Sequence, residues 1–87
     1  MPRANRTIAR ILSGTSDNNL AFSDVLHALR RLGFAERRRG SHVILSREGV
    51  REIVNLQPRA GGAAKPYQVR QVRQILLRYG LGEQPDE

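Results

Sequence analysis

Residues 37–45 read Arg-Arg-Arg-Gly-Ser-His-Val-Ile-Leu and constrain the fold more than any other stretch of the chain. The segment before Gly40 lacks helical periodicity, and residues 41–46 form a short apolar run with two β-branched side chains, which is typical of a strand. Residues 47–49 then predict a turn, and the apolar pattern of residues 50–56 predicts a further strand. The centre of the chain therefore predicts a three-stranded antiparallel meander.

Helical periodicity flanks this meander on both sides. Residues 3–12 predict a short helix, and a second helix, with Ser23 as its predicted N-cap, runs to about Leu32. A third helix is predicted from Pro66, which suits a first helical turn, to a stop at Gly80. The order helix, helix, three strands, helix predicts an α+β fold that resembles the double-stranded RNA-binding fold, with helices on one face of the sheet and the other face open.

The third predicted helix has one apolar side and one polar side. Arg70, Arg73 and Gln74 are expected to point away from the core, and Leu77 falls on the same polar side, where only a partner would cover it. The apolar stripe that should face the sheet consists of Val69, Val72, Ile75, Leu76 and Tyr79.

A length of 87 residues favours a single small domain. We divide the chain into an N-terminal helical extension and loop at residues 1–19, an α-β-β-β-α domain at residues 20–82, and an acidic tail at residues 83–87. No apolar run approaches the roughly 20 residues of a transmembrane helix, and the N-terminus lacks the apolar region of a signal peptide. We expect a cytoplasmic protein with no membrane partner.

Charge and the scarcity of metal ligands narrow the function. Residues 1–82 carry fifteen basic side chains against five acidic ones, and fourteen of the fifteen are arginine, whose forked guanidinium suits phosphate. Such charge would also suit a membrane surface or keep a small protein soluble, but nucleic acid is the favoured partner. Without cysteine there is no disulfide framework and no thiolate metal site, and two histidines alone cannot supply a four-ligand zinc site, so we expect no metal and no cofactor.

Strand alternation separates His42 from its apolar neighbours. If Val43 and Leu45 pack against the helices, then His42 and Ile44 project from the open face of the sheet. A single histidine on a strand is more often structural than catalytic, and the alternation alone leaves both roles open.

The same residues carry a resemblance to a known family. Over about residues 20–81 the chain is similar to the HicA family of toxin ribonucleases. The similarity lies in Gly40-Ser41-His42 before Val43-Ile44-Leu45, Leu32-Gly33-Phe34 at a helix end, the strand exit Asn55-Leu56-Gln57-Pro58, the helix entry Lys65-Pro66-Tyr67-Gln68-Val69, and a Val-Arg-Gln-Val-Arg helix.

The resemblance implies an endoribonuclease toxin that cleaves mRNA to stop translation and growth, and that a HicB-type antitoxin holds inactive by masking its active site. It implies that His42 is the catalytic residue, and that operator DNA is bound only through the antitoxin. Two features depart from the family: residues 1–19 lie outside its compact core, and Val43 stands where many relatives carry a second histidine.

The chemistry of RNA cleavage fits this implication. RNA supplies its own nucleophile in the 2′-hydroxyl, so the enzyme needs a base, positive charge around the phosphorus, and an acid for the leaving 5′-oxygen. We assign His42 as the proton acceptor and Ile44 as an antitoxin contact. The predicted phosphate-binding residues are Arg37, Arg38, Arg39, Gly40, Ser41, Lys65 and Arg70. Because Phe22, Phe34 and Tyr79 are expected in the core, few rings remain to read bases, and sequence selectivity should be loose.

Two other classes stay open. A non-catalytic RNA-binding module would share the fold and the charge but would not need His42. A DNA-binding domain, winged-helix-like, would use residues 3–33 as its helical pair, but Asp24 on the exposed side of the second helix would repel phosphate.

Overall fold

Three helices and one three-stranded antiparallel sheet make up residues 2–82, the part of the chain that the computed structural model describes. The elements are α1 (Arg3–Ser13), α2 (Phe22–Arg31), β1 (Ala35–Arg39), β2 (His42–Ser46), β3 (Val54–Leu56) and α3 (Pro66–Arg78). The strand order β1-β2-β3 is a meander. The predicted α+β class and the order of elements are confirmed, while the closer likeness to the double-stranded RNA-binding fold stays a prediction.

Helix α2 ends where its sequence predicts but begins earlier. Ala21, not Ser23, is the N-cap, and it makes no side-chain capping bond, so the predicted cap is wrong. At the other end Gly33 has φ 94°, and the amide of Phe34 donates to the carbonyl of Leu29 at 3.0 Å, as in a Schellman motif. This glycine therefore stops the helix and turns the chain into β1.

A tight hairpin joins β1 to β2. Arg39 pairs with His42, so the connection consists of Gly40 and Ser41 alone. Gly40 has φ 59°, and within residues 2–82 only glycines have positive φ, so φ of Ser41 is negative. This combination fits a type II′ turn with glycine in its first central position. The turn sets His42 at the first position of β2, at the end of the sheet.

Strand β3 is shorter than its apolar pattern predicts. It begins at Val54 rather than at residue 50, and the preceding Ile53 is 65% exposed. Glu52 accepts a hydrogen bond from the hydroxyl of Tyr79 at 2.6 Å, and the amide of Arg51 donates to that same hydroxyl at 3.3 Å. These contacts hold the segment before β3 against the end of α3 and outside the ladder with β2.

One face of the sheet is covered by the helices. Val43 and Leu45 of β2 and Val54 and Leu56 of β3 are buried in one cluster with side chains from all three helices. Phe22 and Phe34 are buried as predicted, and Tyr79 packs against the cluster half-buried. The predicted division into a covered face and an open face is therefore present.

Helix α1 is an integral part of this core. Ala4, Ile8 and Ile11 are buried on its inner side. The sequence predicts that Arg73 of α3 points away from the core, but its guanidinium donates to the Asp17 carboxylate at 2.9 Å and to the Ile11 carbonyl at 3.2 Å. The predicted outward orientation of Arg73 is therefore wrong. Both partners lie more than fifty residues away along the chain, so helical periodicity alone could not reveal them.

Two further predictions concern membrane-spanning helices and the C-terminal tail. Within residues 2–82, no helix has the length and apolar character needed to cross a membrane. The predicted acidic tail, residues 83–87, lies outside the described residues.

Candidate active site

The open face of the sheet gathers polar side chains near the end of β2 that begins at His42. Directly opposed residues of antiparallel strands share a face, so the pairing of Arg39 with His42 places both on the open side. Arg37 opposes Ile44 and lies on this side too. His42 is exposed and Ile44 is half-buried, as strand alternation predicts.

His42 is held by an asparagine on the next strand. Its Nδ1 lies 2.9 Å from Oδ1 of Asn55. Since a carboxamide oxygen only accepts hydrogen bonds, this contact requires the proton of a neutral imidazole to be on Nδ1. Nε2 then keeps its lone pair and can accept a proton. The pair thus orients a base on an exposed surface.

A second polar chain runs from the hairpin to the start of α3. Gln57 Nε2 donates to Ser41 Oγ at 2.9 Å, and Lys65 Nζ donates to Gln57 Oε1 at 3.4 Å. Lys65 is the N-cap residue of α3, half-buried at the helix entry. Two of the predicted phosphate-binding residues, Ser41 and Lys65, are therefore linked through one glutamine.

The outer edge of β3 is occupied by a buried side chain of α3. Gln68 is 8% exposed; its Oε1 accepts from the backbone amide of Gln57 at 3.2 Å, and its Nε2 donates to the carbonyl of Asn55 at 3.4 Å. One carboxamide thus takes the donor and acceptor positions that a neighbouring strand would take. This fixes the backbone on either side of Leu56 and, with it, the base of the Asn55 side chain.

The three consecutive arginines do not act together. Arg38 opposes Val43 and so lies on the helix side of the sheet, where its Nε is 3.2 Å from Glu36 Oε2. Arg30 of α2 binds the other carboxylate oxygen at 2.7 Å. Arg37 and Arg39 therefore share the open face with His42, whereas Arg38 forms an ion pair with Glu36 on the opposite, helix-covered face.

Replacing Glu36 by glutamine is expected to lower stability at neutral pH and to matter less in acid. The hydrogen bond from Arg30, aided by the charges of Arg30 and Arg38, holds the pKa of Glu36 below its ordinary value. The stabilisation is complete above the carboxyl pKa of the unfolded chain and is lost as pH falls through the lower folded pKa. Urea midpoints of Glu36→Gln and wild type should converge in acid; a gap that stays constant with pH would contradict this.

The remaining predicted residues are more dispersed. Gly40 has open space where a side chain would lie, with no atom within 4 Å of an added Cβ, so a phosphate can approach its backbone. Arg70 is exposed on α3. His27 is exposed on α2, on the helix side, as expected for a surface histidine. Nothing brings His27 to the open face that carries His42.

Three residues of this site were not identified from the sequence as functional. Asn55, Gln57 and Gln68 supply the hydrogen bonds around His42, Ser41 and the edge of β3. The alternation of β3 gives a signal for Asn55, which is a polar residue on the exposed face between two buried apolar ones. Gln57 and Gln68 belong to the segments that carry the family resemblance, but their hydrogen-bonding roles become apparent only in the folded chain.

Within the described residues, no group of three or more His, Cys, Asp or Glu side chains is placed to hold a metal ion.

The comparisons with known proteins identify a family for the chain. Residues 22–78 match the family model described as the HicA toxin of bacterial toxin-antitoxin systems. Neither the curated proteins nor the solved structures contain a significant match to the chain. The matched region runs from the start of α2 to the end of α3. It includes the open-face residues Arg37, Arg39, His42, Ile44 and Asn55.

The match confirms the family resemblance carried by Gly40, Ser41 and His42, and it covers well over half of the chain. A toxin of this kind acts within a pair, so membership implies an antitoxin partner. The chain belongs to the HicA toxin family of bacterial toxin-antitoxin systems.

Proposed function

We propose that this toxin is an endoribonuclease that cleaves mRNA in the cytoplasm, without a metal ion, and so arrests translation and growth. The observation that carries the proposal is the 2.9 Å contact between His42 Nδ1 and Asn55 Oδ1 on an exposed sheet face. It orients an imidazole with a free Nε2 lone pair toward solvent, which is what a general base for a large substrate needs.

The reaction is a transesterification within the RNA. Nε2 of His42 takes the proton of the 2′-hydroxyl, and the 2′-oxygen forms a bond to the adjacent phosphorus. The bond from phosphorus to the 5′-oxygen breaks, that oxygen leaves with the electron pair, and water supplies its proton. The products are a 2′,3′-cyclic phosphate and a free 5′-hydroxyl. No step needs an external nucleophile, oxidant or reductant.

Positive charge near His42 supports the same step. Arg39 pairs with His42 and Arg37 with Ile44, so two guanidiniums share the face of the base. They stabilise the charge that develops on the phosphorane oxygens. The open space over Gly40 and the hydroxyl of Ser41 can receive a non-bridging oxygen. Lys65 and Arg70 hold more distant phosphates of the strand.

The antitoxin of the pair is proposed to be a HicB-type protein that covers the open face. Ile44 is half-buried there beside Asn55, and an apolar side chain on a polar face is a natural contact for a protein inhibitor. Covering Ile44 also covers His42. Operator DNA would then be bound by the antitoxin, because the toxin's cationic face is already occupied in the complex.

Purified protein incubated with mRNA in EDTA tests the proposal. Cleavage by wild type that His42→Ala abolishes is the expected result, together with growth arrest on induction of wild type alone. If His42→Ala cleaves RNA as fast as wild type does, the assignment of His42 as the catalytic base is wrong. If neither protein cleaves and both bind RNA with steep salt dependence, the chain is a non-catalytic RNA-binding module.

Replacing Asn55 by leucine is expected to lower the cleavage rate by up to about 100-fold, because a misoriented base loses its reach to the 2′-hydroxyl. Asn55 is exposed, so the fold should persist. Asn55→Asp keeps an oxygen at His42 Nδ1 and should retain much more activity than Asn55→Leu. Single-turnover rates on one RNA measure both variants; equal losses would show that the oxygen does not orient the base.

A further inference from the structure

One aromatic ring of the chain is left at the surface. Of the two phenylalanines and two tyrosines, Phe22 and Phe34 are buried, and Tyr79 is half-buried with its hydroxyl bound to Glu52. Tyr67 is 55% exposed, although a tyrosine ring carries a large apolar surface. Neither the core nor the proposed catalysis at His42 uses this ring.

The hydrogen bonds of its neighbour tie Tyr67 to the proposed active site. Nε2 of Gln68 donates both to the Tyr67 hydroxyl and to the Asn55 carbonyl, each at 3.4 Å. Asn55 in turn holds His42. The hydroxyl end of the ring is therefore anchored next to the strand that positions the base, while the rest of the ring stays open to solvent. An anchored ring loses little freedom when a flat ligand stacks on it.

Two cationic residues flank Tyr67 along the chain at the start of α3. Lys65 precedes it at the N-cap of α3, and Arg70 follows three residues later on the same side of the helix and is exposed. An exposed aromatic ring with cationic residues nearby suits single-stranded nucleic acid, with a base on the ring and phosphates on the cations. The next arginine of the helix, Arg73, is bound to Asp17 and takes no part.

We propose that Tyr67 is a nucleobase-stacking platform that holds one unpaired base of single-stranded RNA beside the phosphate to be cleaved at His42, with Lys65 and Arg70 on the flanking phosphates. The inference rests on the proposed ribonuclease function and adds a requirement for unpaired RNA. Because every base has a flat aromatic face, such a platform tolerates all four bases, in agreement with loose sequence selectivity. Paired bases cannot reach the ring, so duplex RNA gains nothing from Tyr67.

RNA binding is measured with the His42→Ala protein, which we expect not to cleave the RNA probe during the titration. A labelled short single-stranded RNA is titrated with this protein and with the same protein carrying Tyr67→Ala, Tyr67→Phe or Leu77→Ala. Leu77 is the matched control: it is 53% exposed and lies on the same helix, about three turns from Tyr67. Thermal melting of each variant verifies that the fold is intact.

Tyr67→Ala should bind single-stranded RNA roughly tenfold more weakly, within the range that loss of one stacked base produces. Tyr67→Phe and Leu77→Ala should bind as the parent does, and the duplex of the same sequence should not distinguish any of them. The decisive probe is a set of RNAs with one abasic nucleotide at successive positions around a mapped cleavage site. At one position, the missing base should weaken RNA binding by the His42→Ala protein but should not change binding by the protein that also carries Tyr67→Ala.

Unaltered binding by Tyr67→Ala would overturn the platform, and cleavage by wild type would then still support the proposed function. The opposite result is also informative. If Tyr67→Ala weakens RNA binding but the wild-type protein does not cleave RNA, the proposed ribonuclease activity is wrong and the stacking role of Tyr67 remains. If Tyr67→Ala weakens only the complex with the antitoxin, the ring belongs to that protein interface and the inference is wrong.

Discussion

Replacing His42 by glutamine is expected to lower the rate of RNA cleavage by about 10²–10⁴-fold, the range that a general base contributes. Glutamine is close to histidine in reach and can donate a hydrogen bond to Asn55, but it cannot accept a proton at neutral pH. His42 is exposed and its removal leaves the core untouched. Single-turnover cleavage of one RNA measures the rate, and induced expression in growing cells measures the toxicity, which should disappear with the activity.

His27→Gln is the matched control for this variant. It replaces the other histidine of the chain, which is exposed on α2 on the helix side of the sheet. Cleavage by His27→Gln should equal that of wild type. Loss of activity in both variants to the same degree would contradict the assignment of His42 as the base.

Replacing Ile11 by alanine is expected to destabilise the protein by about 2–5 kcal/mol, the usual effect of truncating a fully buried isoleucine. Ile11 is 0% exposed, and it lies in α1, outside the family-matched residues 22–78. A small domain has only about 5–15 kcal/mol of stability in total, so this loss is a large fraction of it. Urea unfolding measures the change in free energy.

Ile53→Ala gives the corresponding surface measurement. Ile53 is 65% exposed, and its truncation should change stability by no more than about 0.5 kcal/mol. Similar effects of the two isoleucine variants would show that α1 is an appendage, as the division at residue 19 expects, rather than part of the core that supports the sheet.

Most elements of the fold follow from local patterns. Ile8 and Ile11 at helical spacing, and Val43 and Leu45 at strand spacing, identify both their element and its buried side, because each period permits one continuous apolar face. Alternation likewise separates His42 from Val43. The position of His42 on the open face could therefore be predicted from the sequence, whereas the proposal that it is catalytic came from the family resemblance.

Arginine partners could not be predicted in this way. Arg38 and Arg73 both read as exposed cations, yet each has an acidic partner: Glu36 on the same strand and Asp17 in a distant loop. Strand alternation places Glu36 and Arg38 on one face, but local periodicity cannot show that Arg30 of α2 shares this carboxylate or that Arg73 reaches the distant Asp17. The sequence therefore overstates the number of cations available to RNA.

The hydrogen bonds of the site depend on strand register. Asn55 reaches His42 because β3 pairs with β2 so that Asn55 opposes Ile44, one step along the same face. A shift of one residue would bury Asn55 and expose Leu56. The start of β3 is likewise decided by the contact of Glu52 with Tyr79, which no pattern within residues 50–56 contains.

The central claim is that His42 activates a nucleophile that RNA itself supplies. The most direct test replaces the single 2′-hydroxyl on the 5′ side of a mapped cleavage site by hydrogen and assays the wild-type protein in EDTA. We predict that the unmodified RNA is cut to leave a 2′,3′-cyclic phosphate, and that the 2′-deoxy position is not cut at all. Cleavage at the 2′-deoxy position, or cleavage only when a divalent metal ion is added, would contradict the account.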